Sequence, residues 1–190
     1  KADGMGVTSL FSRRTRREFL TPTAGKPLLW RLVLKGPSAP ETRVDNTASA
    51  TWSATEVPVK GGKALDLVWD HLAVGDEVDV LKVKVRVELP KGSETSLWSI
   101  DVTSRSTRYG LWEVHFPLFA ALSEKGLPDV AVPRSNWGML YRGARGGVGG
   151  SYPSADWPMQ FLLLNEGEHG LYLAAHDPRA WPKRFTLSPG

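Results

Sequence analysis

Met159-Gln160-Phe161-Leu162-Leu163-Leu164 is a nearly unbroken apolar run. Asn165-Glu166-Gly167-Glu168-His169 follows, rich in residues that tolerate tight or left-handed backbone, and Gly170-Leu171-Tyr172-Leu173-Ala174-Ala175 is apolar again. Two such runs joined by about five polar residues read as a β-hairpin. Apolar side chains at successive positions belong to strands covered on both faces, which places this hairpin in the middle of a sandwich. Tyr152 and Trp157 then fall where the first strand enters the sheet, and His176, Asp177, Trp181 and Lys183 where the second leaves it. Side chains at such a rim can meet a ligand.

The rest of the chain repeats the β signal. Short strands are expected over 6–12 and 18–20, around the basic turn Arg13-Arg14-Thr15-Arg16-Arg17, and longer ones over 28–34, 50–55, 63–69, 96–103 and 110–116. In Val78 to Leu89 the residues Val78, Val80, Val83, Val85, Val87 and Leu89 form an apolar face whose phase slips at Leu81-Lys82, where a β-bulge would restore it. Turn signals every 8 to 12 residues or so are the spacing of a sandwich or barrel. Only 117–126 reads as helical, with Gly126 as its stop. The expected fold is an all-β antiparallel sandwich with little or no helix.

At 190 residues, one domain spanning 1–190 is the natural reading. A hydrophobic fraction of 41% excludes wholesale disorder, and 14 Pro with 19 Gly in short clusters suit a turn-rich β fold. With no cysteine there is neither a disulfide framework nor a thiolate metal site, and the compartment is left open. The chain opens on Lys1 and holds no apolar stretch of about 18 residues, so it reads as a soluble segment of something longer, with no membrane partner. Between Ser123 and Asp156, Pro128, Pro133, Pro153 and the run Gly143 to Gly150 point to a long functional loop region. It carries Arg134, Asn136, Trp137, Tyr141 and Arg142, a mixture suited to a polar, ring-shaped ligand.

Eight Trp are many for this length, and a pyranose packs its C–H face on an aromatic ring while its hydroxyls bond at the edge. Trp30, Trp52, Trp69, Trp98 and Trp112 sit within apolar strand patterns and are expected in the core. Trp137, Trp157 and Trp181 lie beside Pro or Gly in loops. Trp137, Tyr152, Trp157, Gln160, His176, Asp177 and Trp181 are therefore the candidate carbohydrate contacts. For His176-Asp177, a general acid pair or sugar clamp competes with an Asp that caps a turn ahead of Pro178.

Other chemistries find less footing. His71, His115, His169 and His176 lack metal-ligand spacing, and only His169 and His176 lie close enough in sequence to meet across the hairpin. Asp76, Glu77 and Asp79 read as a turn before a strand, without an EF-hand's spacing. No metal or cofactor is expected. The Gly-rich run lacks the ending of a phosphate-binding loop, and no nucleophile elbow is present. The arginine cluster reads as a solvated turn, with no second basic stripe to suggest nucleic acid.

Gly6 to Leu20, Leu67-Val68-Trp69, Leu97 to Thr103, Leu111 to Val114 and Met159-Gln160-Phe161 through His176-Asp177-Pro178 together resemble the N-terminal β-super-sandwich, related in fold to galactose mutarotase, that precedes the (β/α)8 barrel of several uncharacterised bacterial glycoside hydrolases. The resemblance spans nearly the whole chain, and its strongest piece is Gly170 to Pro178. It implies an accessory domain that supports a C-terminal catalytic barrel and lines part of the carbohydrate site, with the catalytic carboxylates beyond Gly190. A secreted or periplasmic setting follows if the parent degrades glycans. A free-standing carbohydrate-binding module and a mutarotase-like isomerase are the alternatives; the latter needs a His and a carboxylate facing one cavity, from His115 or His176 with Glu113, Glu166 or Glu168.

Overall fold

The computed structural model describes residues 4–21, 25–48, 51–119, 128–143 and 147–188. Among them there is no helix, and every strand pairing is antiparallel. The fold is an all-β sandwich. Its first strands are β1 (Phe11–Ser12), β2 (Arg17–Glu18), β3 (Arg31–Gly36), β4 (Ala39–Asp45) and β5 (Trp52–Val59). Then come β6 (Gly62–Val74), β7 (Glu77–Pro90), β8 (Leu97–Ser104), β9 (Gly110–His115) and β10 (Asp129–Val132). β11 (Met139–Tyr141), β12 (Val148–Tyr152), β13 (Phe161–Glu166), β14 (His169–Ala174) and β15 (Lys183–Leu187) complete the order.

The chain groups into two compact units, Lys1–Thr8 with Pro22–Ala120 and Ser9–Thr21 with Ala121–Gly190. The first unit holds the sheets β4-β3-β9 and β5-β6-β7-β8. Leu32 and Leu34 of the one and Leu67, Trp69, Val83 and Val85 of the other share one core, in which Trp30 and Trp69 meet edge to face at 5.3 Å. Such a pair adds about 0.5–1.5 kcal/mol to the burial of both rings. The one buried polar side chain among the described residues, Asn46, lies beside that core.

The β6–β7 ladder shows how a phase slip is absorbed. Leu67 and Trp69 point inward before the break and Leu72 and Val74 after it, because Asp70 and His71 together oppose Lys82. On β7 the inner face is Leu81, Val83 and Val85, and a second irregularity precedes Leu81. The slip expected within Leu81-Lys82 thus sits in the facing strand and a few residues earlier in β7, where Val78 is exposed; Leu89, in phase with the inner face, is exposed near the strand's end. His71 and Asp79 take left-handed φ of 57° at these breaks.

Outward, β6 and β7 carry a charged ladder. Asp66 receives Arg86 Nε at 2.6 Å and its other terminal nitrogen at 2.8 Å, with Lys84 Nζ also at 2.8 Å. The hydrogen bonds from Arg86, then those from Lys84, hold the Asp66 carboxyl far below the ordinary carboxylate range. A depressed folded-state value adds stability that is present above the unfolded value of about 4 and is lost as pH falls below it. Between pH 5 and pH 2, the urea midpoint of Asp66→Asn is therefore expected to fall less than that of the natural chain. An equal fall in both would dismiss this carboxylate as a contributor.

The second unit holds β11-β10-β13-β14, β12-β15 and the small hairpin β1-β2. Its core is Val130, Val132, Val148, Trp157, Leu162 and Leu164. Three strands, β10, β11 and β12, lie in the segment 123–156 that its Gly and Pro content marks as a long loop. Val130 and Val132 alternate into the core, and of the two strand glycines Gly150 lies under Trp157 while Gly149 lies against the backbone of β15. The helix expected over 117–126 finds no helical residue at 117–119, and 120–127 lie outside the described residues.

Candidate functional site

The β13–β14 hairpin turns more tightly than its sequence suggests. Glu166 pairs with His169, so Gly167-Glu168 alone make the turn, with Gly167 at φ 62°. Nor is the hairpin central: β13 lies between β10 and β14, while β14 ends the sheet. Burial alternates instead of being continuous. Leu162 and Leu164 face the core, and Leu171 and Leu173, opposite them, pack against it. The intervening residues face the other way.

That outer face is apolar as well. Directly opposed residues share a face of an antiparallel sheet. The register therefore aligns Leu140, Ala131, Leu163 and Tyr172 in one row, with Phe161 and Ala174 in the next. Phe161 and Tyr172 touch at a ring separation of 5.8 Å. Leu140 is 49% and Tyr172 56% exposed, and Met159 adds another open apolar side chain. A cleft of about 590 Å³ runs along this face, lined by Phe161, Met159, Leu140, Met139 and Trp137, with Ser135 and Asn136 as its polar side chains. Trp137 stands almost free in solvent at 91% exposure. Its loop is closed by Trp137 and Gly138 N–H groups bonding Arg134 O, while the Arg134 guanidinium donates to the Tyr141 hydroxyl.

The other candidate contacts fall in different surroundings. Trp181 is 63% exposed, on a loop organised by Asp177. The Asp177 carboxylate accepts from Arg179 N–H at 2.9 Å, Trp181 N–H at 2.8 Å and Lys183 Nζ at 2.5 Å, and the lysine bond first and the Arg179 bond second hold its pKa below the ordinary value. Asp177 is thus the turn-capping residue of the blander alternative, extended to a whole loop, and its oxygens are committed. His176 is exposed, with no carboxylate hydrogen-bonded to it among the described residues. Gln160 is half buried and donates to Asp177 O at 3.1 Å, and Tyr152 lies under Lys183 Nζ at 5.7 Å from its ring centre.

Trp157 is a correction. It is 2% exposed and stacks on Phe185 at 5.9 Å over Gly150, so no ligand reaches it. Among the five Trp expected in the core, Trp30 and Trp69 are fully buried, Trp98 is half buried, and Trp52 is exposed on the outermost strand of its sheet. Trp112 is 65% exposed because it falls where the β3–β9 register shifts.

Among the described residues no His-carboxylate pair faces a cavity. His115 bonds Glu113 at 2.8 Å along the exposed edge strand β9, and Glu166 is taken by Arg17. His169 opens β14 and His176 lies two residues beyond its end, so the whole strand, about 20 Å at 3.3 Å per residue, separates them and they do not meet across the hairpin. Asp70, His71 and Asp79 converge on the β6–β7 bulges, but His71 Nδ1 is bonded to Asp79 at 2.7 Å and Lys82 Nζ already sits 2.5 Å from Asp70. The sequence carries the signal for the outer face: the unbroken apolar run Phe161 to Leu164 puts apolar residues on both faces, and one of those faces is open.

No family model, no curated protein and no solved structure matches this chain.

Proposed function

We propose that this chain is an accessory β-sandwich of a carbohydrate-active enzyme, noncatalytic by itself, whose catalytic barrel covers the apolar outer face of β11-β10-β13-β14. That face carries the reading. Leu140, Tyr172, Met159 and Phe161 form one patch along a cleft, and contiguous open apolar surface of this kind marks a protein interface more often than a solvated side. The resemblance of the chain to the β-super-sandwich that precedes glycoside hydrolase barrels supplies the kind of partner. The test is a photo-crosslinking residue at position 172 in the protein as its source cell makes it. The expected product is a crosslink within the same polypeptide, to a segment outside these 190 residues. A residue 172 that crosslinks to nothing and stays open to chemical labelling would overturn the reading.

Trp137 favours a second reading, a free-standing carbohydrate-binding module, since an indole held out on a loop beside Ser135 and Asn136 is the platform a pyranose needs. At 91% exposure its removal leaves stability within about 0.5 kcal/mol. Under this reading Trp137→Ala folds normally but binds insoluble polysaccharide about tenfold more weakly, a loss of roughly 1.4 kcal/mol. Retention that is unchanged in the variant would dismiss Trp137 as a sugar platform.

A further inference from the structure

The hairpin β1–β2 places Arg13, Arg14, Thr15 and Arg16 in its turn, with all three arginines exposed. Glu18 accepts from Ser9 Oγ at 2.5 Å, Leu10 N–H at 2.7 Å and Leu20 N–H at 3.0 Å, and Glu166 is paired with Arg17. Among the described residues neither Arg13 nor Arg16 has an ion pair. Arg16 also sits at φ 53°, a left-handed conformation that glycine or asparagine adopts more cheaply. A turn selected only for turning has no reason to put a guanidinium there. The charge of the molecule follows the same division: the unit containing this hairpin has 11 Lys and Arg against 7 Asp and Glu, and the other unit has 13 of each, so the whole net charge of +4 rests on the hairpin's unit.

We infer that Arg13 and Arg16 form a docking point for an acidic polysaccharide, one bearing carboxylate or sulfate groups. The inference rests on the carbohydrate reading and adds the class of glycan. Guanidinium matches both anions with paired N–H donors, which an ammonium does not. Two guanidinia on one turn suit a polymer whose charges are sparse. Duplex nucleic acid presents a charge about every 1.7 Å, and its binders commonly neutralise some 6–10 phosphates along a stripe.

The test measures binding of the 190-residue chain to polygalacturonate, chondroitin sulfate, neutral dextran and a short DNA duplex, at about 50 and 200 mM salt. The expected result is binding to the two acidic glycans that weakens with salt, and none to dextran. Arg13→Glu with Arg16→Glu lowers that affinity at least tenfold and flattens its salt dependence. Arg16→Gly, which suits the left-handed backbone and keeps the turn, also weakens binding, while Arg105→Glu in the neutral unit does not. Absence of binding to the acidic glycans, undiminished binding by the double variant, or tighter binding to DNA at equal salt would each overturn the inference. A crosslink from position 172 obtained alongside any of those results leaves the docking reading standing and removes only the acidic glycan.

Discussion

A methyl group on Gly150 is expected to destabilise the second unit by about 3–5 kcal/mol, as much as truncating a buried tryptophan. A Cβ at this position would lie 2.0 Å from Trp157 Cε3 and 2.7 Å from Cζ3. The ring has little room to step aside, because Phe185 stacks on it at an interplanar angle of 10° and the Trp157 backbone N–H, bonded to Ser154 Oγ at 3.0 Å, fixes the residue from which it projects. Gly150→Ala must therefore expel the indole from the core, and Trp157→Ala removes the same packing from the other side. Residues that share one contact do not add. The double variant is expected to lose little more than either single one, with amide exchange at Val130 and Leu164 reporting the opening. A loss below about 1 kcal/mol in Gly150→Ala would show that the ring has room to move, and near-additive losses would show that the two residues act apart.

The same contact shows why part of the fold could be read and part could not. Strands with their own alternation declared themselves: the runs expected over 63–69, 78–89, 96–103 and 110–116 became β6 to β9 with shifts of a few residues at their ends. β12 did not, because Val148-Gly-Gly-Ser-Tyr152 has almost no strand propensity of its own. Gly150 fits a strand because Trp157, seven positions away in sequence, covers it, and Gly149 because the backbone of β15 approaches it closely. Long-range packing of that kind has no local signature. Trp157 was misplaced for the same reason: proline on its far side gives it the appearance of a loop residue, and only the glycine beneath it explains its burial.

The candidate site was legible in composition and not in grouping. Trp137 and Trp181 are exposed as their loop settings imply, and Asp177 caps its turn, but the aromatic residues do not gather round one polar cavity. Instead the apolar run of β13 delivers Phe161 and Leu163 to an outer face whose other members, Leu140 and Tyr172, come from strands that register alone brings alongside. A continuous apolar run says that both faces want cover. What differs between a strand buried in its own domain and one awaiting a neighbour lies beyond the strand itself.

Asn46 carries the second large effect. It is fully buried and uses its entire hydrogen-bonding capacity: Oδ1 accepts from Leu29 N–H at 2.8 Å and Trp30 N–H at 3.4 Å, and Nδ2 donates to Gly4 O and Pro27 O, both at 3.0 Å. Its side chain thus ties three separate stretches of the first unit beside the Trp30–Trp69 pair. Asn46→Leu keeps the volume and removes every bond, stranding two N–H donors and the Pro27 carbonyl. Gly4 O alone keeps a donor, Trp69 Nε1 at 3.1 Å. At about 1–3 kcal/mol for each buried group left unpaired, a loss of about 3–5 kcal/mol is expected. Asn46→Asp separates polarity from volume. It retains the acceptors for Leu29 and Trp30 but turns a carboxylate oxygen toward two carbonyls, so burial and repulsion favour its protonated form. Such a group costs stability at neutral pH and returns part of it on acidification, the opposite of Asp66. Chemical denaturation at pH 7 and pH 5 should find Asn46→Asp closer to the natural chain at the lower pH. A gap that stays constant or widens would mean that the carboxylate escapes to water, and that Asn46 is held by packing rather than by its four bonds.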